Sequence, residues 1–146
     1  MDRLYLVVPC YNEEEVLPET VRRLTDKLRR MEEKGLVSGD SRILLVDDGS
    51  RDRTWELICG FHRENPVVSG LKLSRNRGHQ NALVAGLMTA RELCDITISL
   101  DADLQDDIEV LDQFVEAYHK GAQIVYGVRS ARDTDTAFKR STAMGF

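Results

Sequence analysis

The sequence predicts an α/β fold, a doubly wound, mainly parallel sheet with helices on both faces. Three observations predict it. Five short runs, at residues 4–8, 43–46, 67–73, 96–98 and 124–127, read as strands, and the first of them, Leu4 to Val8, has the continuous apolar character of a buried one. Stretches of helical periodicity separate them, the alternation that builds a parallel sheet. The first four runs each stop at a cluster of polar groups, and in such a sheet those clusters meet at the carboxyl edge, where ligands bind.

Composition bounds the function. A chain of 146 residues is expected to form one domain, 1–146, with a core of its own. Hydrophobic content of 42%, charged content of 31% and a net charge of −5 suit a globular domain and make no case for nucleic acid. No apolar run reaches the roughly 20 residues of a membrane span. The start, Met1-Asp2-Arg3 followed by Leu4 to Val8, is too quickly polar for a secretory signal, so a cytoplasmic location is expected. Cys10, Cys59 and Cys94 are odd in number and widely spaced, which argues for reduced, packed thiols rather than disulfides or zinc.

Taken in order, the first strand ends at Pro9 and delivers Pro9-Cys10-Tyr11-Asn12-Glu13 to the sheet edge. Asn12 and Glu15 have capping-box spacing, Leu17, Val21, Leu24, Leu28 and Met31 repeat as a helical stripe, and Gly35 is a stop. Arg22, Arg23, Lys27, Arg29 and Arg30 read as the solvated face. The second strand ends in Asp47-Asp48-Gly49-Ser50, where Gly49 permits a tight turn and turn geometry alone accounts for one of the two acids. Asp52 is placed to cap a helix whose apolar side is Trp55, Ile58 and Cys59. The third strand leads into Ser74-Arg75-Asn76-Arg77-Gly78-His79-Gln80, suited to an anion held by backbone N–H groups and guanidinium. His79 reads as a surface or capping residue, and Leu83, Leu87, Ala90 and Cys94 as the next buried stripe.

The fourth strand stops at Asp101-Ala102-Asp103-Leu104-Gln105-Asp106-Asp107. Side chains alternate along a strand, so Asp101 and Asp103 point one way, and with the amide oxygen of Gln105 they make a hard-oxygen site for Mg2+ or Mn2+. Helix capping accounts for Asp106, Asp107 and Glu109 but comes too late for Asp101 and Asp103. Ile108, Leu111, Val115 and Tyr118 then mark a helix that ends at Gly121, before the fifth strand. Beyond Val128, Arg129, Arg132, Lys139 and Arg140 mix with Asp133 and Asp135 in a stretch with no clear strand, which fits either a diphosphate with a second anion or a solvated loop. The dinucleotide Gly-x-Gly-x-x-Gly and the P-loop are both absent.

Four of these segments resemble the successive motifs of family-two glycosyltransferases: Val-Val-Pro-Cys-Tyr-Asn-Glu-Glu-Glu at 7–15, Val-Asp-Asp-Gly-Ser-Arg-Asp-Arg-Thr at 46–54, Ser-Arg-Asn-Arg-Gly at 74–78 and Leu-Asp-Ala-Asp-Leu-Gln-Asp at 100–106. Gly-Val-Arg at 127–129 and Lys139-Arg140 are similar to the branch of the dolichyl-phosphate mannosyltransferases and undecaprenyl-phosphate sugar transferases. The resemblance implies a GT-A fold that binds a UDP- or GDP-sugar and moves the sugar, with inversion, to a polyprenyl phosphate at the cytosolic membrane face. By the same resemblance Pro9, Tyr11, Glu13 and Asp47 or Asp48 hold base and ribose, and Asn76, Gly78 and Ala102 belong to the substrate-binding set. Asp101, Asp103 and Gln105 hold Mg2+ or Mn2+ on the diphosphate, while Arg129, Lys139 and Arg140 meet phosphate. Asp101, Asp103 and Arg129 carry the catalytic roles.

The chemistry is consistent, because a leaving diphosphate needs its developing charge met and an ionised acceptor phosphate attacks without a strong base. Members of that branch are longer, so the chain is expected to be the N-terminal portion of a membrane-associated protein, with a homo-oligomer open to the whole. The alternatives are a nucleotide-sugar-binding fragment without transfer activity and a family-two transferase with a saccharide acceptor. Phosphoryl transfer through an aspartate fits poorly, since its acidic motif follows the first strand and here the Asp-x-Asp follows the fourth.

Overall fold

The computed structural model describes residues 2–104, 108–120, 124–129 and 136–141, the last two stretches by their backbone. Gln105, Asp106, Asp107, Gly121, Arg132, Asp133 and Asp135, which figure in the sequence reading, lie outside the described residues. The chain divides into two compact units, Met1–Gln105 and Asp106–Phe146.

The first unit runs β1 (Leu4–Cys10), α1 (Leu17–Glu33), β2 (Arg42–Asp47), α2 (Thr54–Glu64), β3 (Val68–Lys72), α3 (His79–Ala90) and β4 (Ile96–Ser99). Its four strands form a parallel sheet in the order β3-β2-β1-β4. All seven residues of β1 are buried, as a central strand covered on both faces requires. The chain winds outward from β1 to β3, then returns to place β4 on the other side of β1. That reversal opens a crevice at the carboxyl ends of β1 and β4.

Pro9 helps to open it. The β1–β4 ladder pairs Val7 with Ser99, and Leu100 N donates to Val7 O at 3.0 Å. The next rung would need an N–H from residue 9, which proline lacks, so the strands part there. Pro9 therefore sits inside β1, paired with Val46, rather than stopping it.

Helix α3 covers one face of the sheet through Ala82, Gly86 and Ala90, packed with Tyr5, Val7, Leu44 and Val46. Of the expected stripe of Leu83, Leu87, Ala90 and Cys94, Ala90 is buried as read, and the other three are corrected to partly buried neighbours of the core. Leu83 and Leu87 only flank the contact, and Cys94 lies past the helix end. Close approach demands small residues here, since a Cβ on Gly86 would stand 2.6 Å from Val7 Cγ1 and 2.8 Å from Val46 Cγ2. The other face carries α2, where a Cβ on Gly70 would meet Ile58 Cγ2 at 2.6 Å, with α1 beside it.

Helix α1 buries the predicted Leu17, Val21, Leu24, Leu28 and Met31, and with them Thr20 and Lys27. Lys27 is 2% exposed, against the reading of a solvated residue. Its position three after Leu24 and four before Met31 puts it on the stripe, where a long aliphatic stem packs well. Gly35 ends this helix as expected, with φ of 76° and Leu36 N bonded back to Met31 O. The predicted Asn12 cap is absent: α1 starts at Leu17 behind Val16, with no side-chain cap.

The second unit holds a 3-10 turn at Ile108–Val110, α4 (Leu111–His119), β5 (Ile124–Arg129) and β6 (Thr136–Ser141). The fifth strand is not part of the parallel sheet. It pairs antiparallel with β6, so the stretch expected to lack a strand supplies one. Among the described residues no helix is long and apolar enough to cross a membrane.

Candidate functional site

The loops after β1 and β2 are laced together. Asn12, in the left-handed region at φ 52°, donates from its backbone to Ser50 Oγ (2.9 Å) and accepts from Arg51 N on Oδ1 (2.8 Å). Glu13 N donates to Thr54 Oγ1 (2.9 Å), Glu14 N to Asp52 Oδ2 (3.2 Å), and Arg53 N to Glu14 Oε1 (2.8 Å). Asn12 thus binds the neighbouring loop instead of capping its own helix. The expected Asp52 cap is corrected by one residue: the N-cap of α2 is Arg53, without a side-chain cap, and Asp52 just ahead of it accepts from Thr54 N (2.9 Å) and Thr54 Oγ1 (2.6 Å) in a local turn. Burial pushes its carboxyl up, but these hydrogen bonds and that from Glu14 N outweigh it and hold Asp52 below the usual carboxylate range.

The loop after β3 is tied to β2 through Asp48. Arg77 N donates to its Oδ1 (2.7 Å), and Asn76 Nδ2 donates to its Oδ2 and its carbonyl (3.2 Å each). Gly49, at φ 70°, makes room for this approach, because a Cβ there would lie 2.3 Å from Asn76 N and 2.4 Å from Arg75 C. The two acids of the second motif separate in role. Both are buried, but Asp48 lines the cleft, whereas Asp47 accepts from Ser50 N on Oδ1 (3.2 Å) and has Lys72 Nζ 3.8 Å from Oδ2.

A cleft of about 290 Å³ results, lined by Pro9, Tyr11, Glu13, Asp48, Asn76 and Gly78, all singled out in the sequence, together with Cys10 and His79. Burial, and then the charges of Glu13 and Asp47, push the Cys10 thiol far above its ordinary range, so it lines the cleft as an inert surface. Cys10, Cys59 and Cys94 are all free thiols.

Beyond β4 the chain closes a turn, with Leu104 N donating to Asp101 O at 3.0 Å and Leu104 at φ 50°. Leu100, Ala102 and Leu104 are buried, which leaves Asp101 half-buried and Asp103 exposed between them. Thr20 of α1, 3% exposed, donates from its hydroxyl to Ala102 O and so fixes the turn. Thr20 escaped the sequence reading, although a threonine on the apolar stripe was the available signal. His79 Nε2 stands 3.6 Å from Asp101 Oδ1, which joins the start of α3 to the acidic turn.

Glu13 reports on the charge here. Burial, and then the carboxylates of Asp103, Asp52 and Asp101, raise its carboxyl above the ordinary value. The carboxylates of Asp101 and Asp103 are hard-oxygen donors of the kind that fits Mg2+ or Mn2+, which use one or two carboxylates and leave other positions to water and phosphate. Among the described residues no group of three or more His, Cys, Asp or Glu side chains is arranged around a common point, and Gln105 lies outside them. Arg129, Lys139 and Arg140 belong to the second unit, at positions opposite Thr136, Tyr126 and Val125 of the β5–β6 ribbon.

The Glycosyl transferase family 2 profile matches residues 5–144. The chain belongs to that family. The Bacillus subtilis (strain 168) glycosyltransferase YkoT is 56% identical over 143 residues, covering 98% of this chain and 42% of that protein. The prophage bactoprenol glucosyl transferase homolog of Escherichia coli (strain K12) is 40% identical over 147 residues, covering 99% of this chain and 44% of its own length. The chain therefore spans less than half of these family members. Among solved structures, the Pyrobaculum calidifontis mannosyltransferase PcManGT, in complex with GDP-Man and Mn2+, superposes with a TM-score of 0.70 at 21% identity, covering 90% of this chain and 37% of that one. The family's GT-A fold is the fold of this chain.

Proposed function

We propose that this chain is the donor-binding part of an inverting, metal-dependent glycosyltransferase that moves a sugar from a nucleoside diphosphate to a polyprenyl phosphate at the cytosolic membrane face, with both units in one domain. The observation that carries this reading is the cleft at the topological switch point, to which three loops contribute and which His79 connects to Asp101. Its volume of about 290 Å³ is near the lower end for small-ligand sites and suits a base and ribose.

Asp48, already bonded to the Asn76 loop, and Glu13 receive base and ribose, with Pro9 and the half-exposed ring of Tyr11 offering apolar surface. Asn76 and Gly78 bound the cleft beside them. Asp101 and Asp103, with Gln105, are the residues that would hold Mg2+ or Mn2+, and Ala102 keeps them apart through its bond to Thr20. The ion, when bound, supplies positive charge to the departing diphosphate. Arg129, Lys139 and Arg140 meet phosphate of donor or acceptor. An acceptor phosphate is already ionised and attacks without a side-chain base.

The polyprenyl acceptor comes to this reading from the bactoprenol glucosyl transferase homolog named above and from the basic segment. Transfer is proposed for the whole protein, and donor binding for this chain. A thermal-shift screen of UDP- and GDP-sugars with and without Mn2+ tests it. A true donor at a hundred times its Kd stabilises by about 2.7 kcal/mol, several degrees in Tm. No shift with any nucleotide sugar would overturn the reading.

A further inference from the structure

Resting on the donor-site reading, we infer that Asn12 is a positioning residue for the nucleotide: it turns the chain between Tyr11 and Glu13 and anchors that turn, so that both side chains line one cleft. Tyr11 and Glu13 belong to the cleft wall, and Asn12, the residue between them, stands outside it. Its backbone lies in the left-handed region, φ 52°, which asparagine tolerates better than most residues with a Cβ. The last rung of the β1–β2 ladder pairs Cys10 with Asp47, so sheet pairing no longer orients the residues that follow. The loop after β2 orients them instead.

Asn12 N donates to Ser50 Oγ (2.9 Å), and its Oδ1 accepts from Arg51 N (2.8 Å) and, at the limit of a hydrogen bond, from Asp52 N (3.4 Å). This one exposed residue thus joins Ser50, Arg51 and Asp52 to the β1 loop. The Tyr11–Asn12 peptide is planar, so holding Asn12 N also holds the carbonyl end of Tyr11. On the other side of Tyr11, Cys10 O accepts from Asp48 N (2.8 Å), and beyond Asn12, Glu13 N donates to Thr54 Oγ1 (2.9 Å). Tyr11 is 40% exposed, so its placement depends on its backbone rather than on packing around the ring. Holding side chains in place before the ligand arrives removes an ordering cost from binding, and for Tyr11 and Glu13 together that cost corresponds to about tenfold in affinity.

The test uses the 146-residue chain as wild type, Asn12→Gly and Asn12→Asp, with calorimetric titration of GDP and UDP in the presence of Mn2+ and the Tm of the unliganded protein. Asn12→Gly permits the left-handed backbone but loses the Oδ1 acceptor. It is expected to weaken binding of the nucleotide that wild type accepts about tenfold, with a Tm within about 4 °C of wild type. Asn12→Asp keeps both the acceptor and the tolerance of a positive φ, and at physiological ionic strength, where exposed charges are largely screened, it is expected to bind within about threefold of wild type. Affinity of Asn12→Gly within about twofold of wild type would overturn the inference, as would an Asn12→Asp chain that binds as weakly as Asn12→Gly. A lowered Tm with unchanged affinity in Asn12→Gly would overturn it too, since that assigns Asn12 to stability alone. A wild type that binds neither nucleotide removes the donor-site reading along with this inference. A wild type that binds nucleotide beside an unaffected Asn12→Gly removes this inference alone.

Discussion

Gly49→Ala should separate the loop that carries Asn76 and Gly78 from the rest of the cleft. A Cβ at this position would lie 2.3 Å from Asn76 N and 2.4 Å from Arg75 C, both backbone atoms that cannot rotate away. Reaching an ordinary contact requires the 75–76 segment to move by about 1 Å. The same segment donates to Asp48 through Asn76 Nδ2 and Arg77 N, so this movement breaks two hydrogen bonds to a buried carboxylate, each worth about 1.5–3 kcal/mol. The left-handed backbone, φ 70°, adds about 1 kcal/mol for any residue with a Cβ. The expected loss is about 3–5 kcal/mol after partial relaxation, together with loss of nucleotide binding. Urea unfolding gives the first quantity and calorimetric titration of nucleoside diphosphate the second. Stability within about 0.5 kcal/mol of wild type, with unchanged affinity, would refute the account of how the two loops meet.

Gly86→Ala should behave differently, because its Cβ meets side-chain methyls of Val7 and Val46 in the core below α3. A loss of about 1–3 kcal/mol in urea unfolding is expected, with nucleotide affinity retained in the folded protein. Asp52→Ala removes acceptors used by Thr54 and Glu14 and should cost about 1 kcal/mol at neutral pH. The folded Asp52 carboxyl lies below its unfolded value, so its contribution is present above the ordinary carboxylate range and lost as pH falls through the folded value. The difference between wild type and Asp52→Ala, measured by unfolding across pH, should therefore shrink in acid; a difference that grows would contradict the assignment.

The strands were legible because burial on both faces writes a continuous apolar run, as at Leu4 to Val8 and Ile43 to Val46. Most of the cleft was legible too, since polar residues at parallel-strand ends share an edge whatever their spacing in the chain. What stayed hidden depends on three-dimensional approach. Leu83 and Leu87 are more apolar than Ala82 and Gly86, yet the small residues face the sheet because α3 lies close to Val7 and Val46. Asn12 has the spacing of a local cap, but its partner is Arg51, 39 residues away. His79 is an exposed residue at the start of α3, in keeping with the surface reading, and only the fold sets it 3.6 Å from Asp101. Strand β6 was obscured by Lys139 and Arg140 within a stretch of mixed charge.

The central claim is that the acidic turn after β4 and the cleft beside it form one metal-dependent donor site. Calorimetric titration of GDP and UDP into wild type and Asp103→Asn, with Mn2+ and with a chelator, tests it most directly. For the base that the protein accepts, the account predicts that wild type binds at least tenfold more tightly with Mn2+, and that Asp103→Asn loses this gain while keeping the metal-free affinity and an unchanged or slightly higher unliganded Tm. Equal affinity of wild type with Mn2+ and with chelator, or an Asp103→Asn chain that still responds to Mn2+, would contradict it.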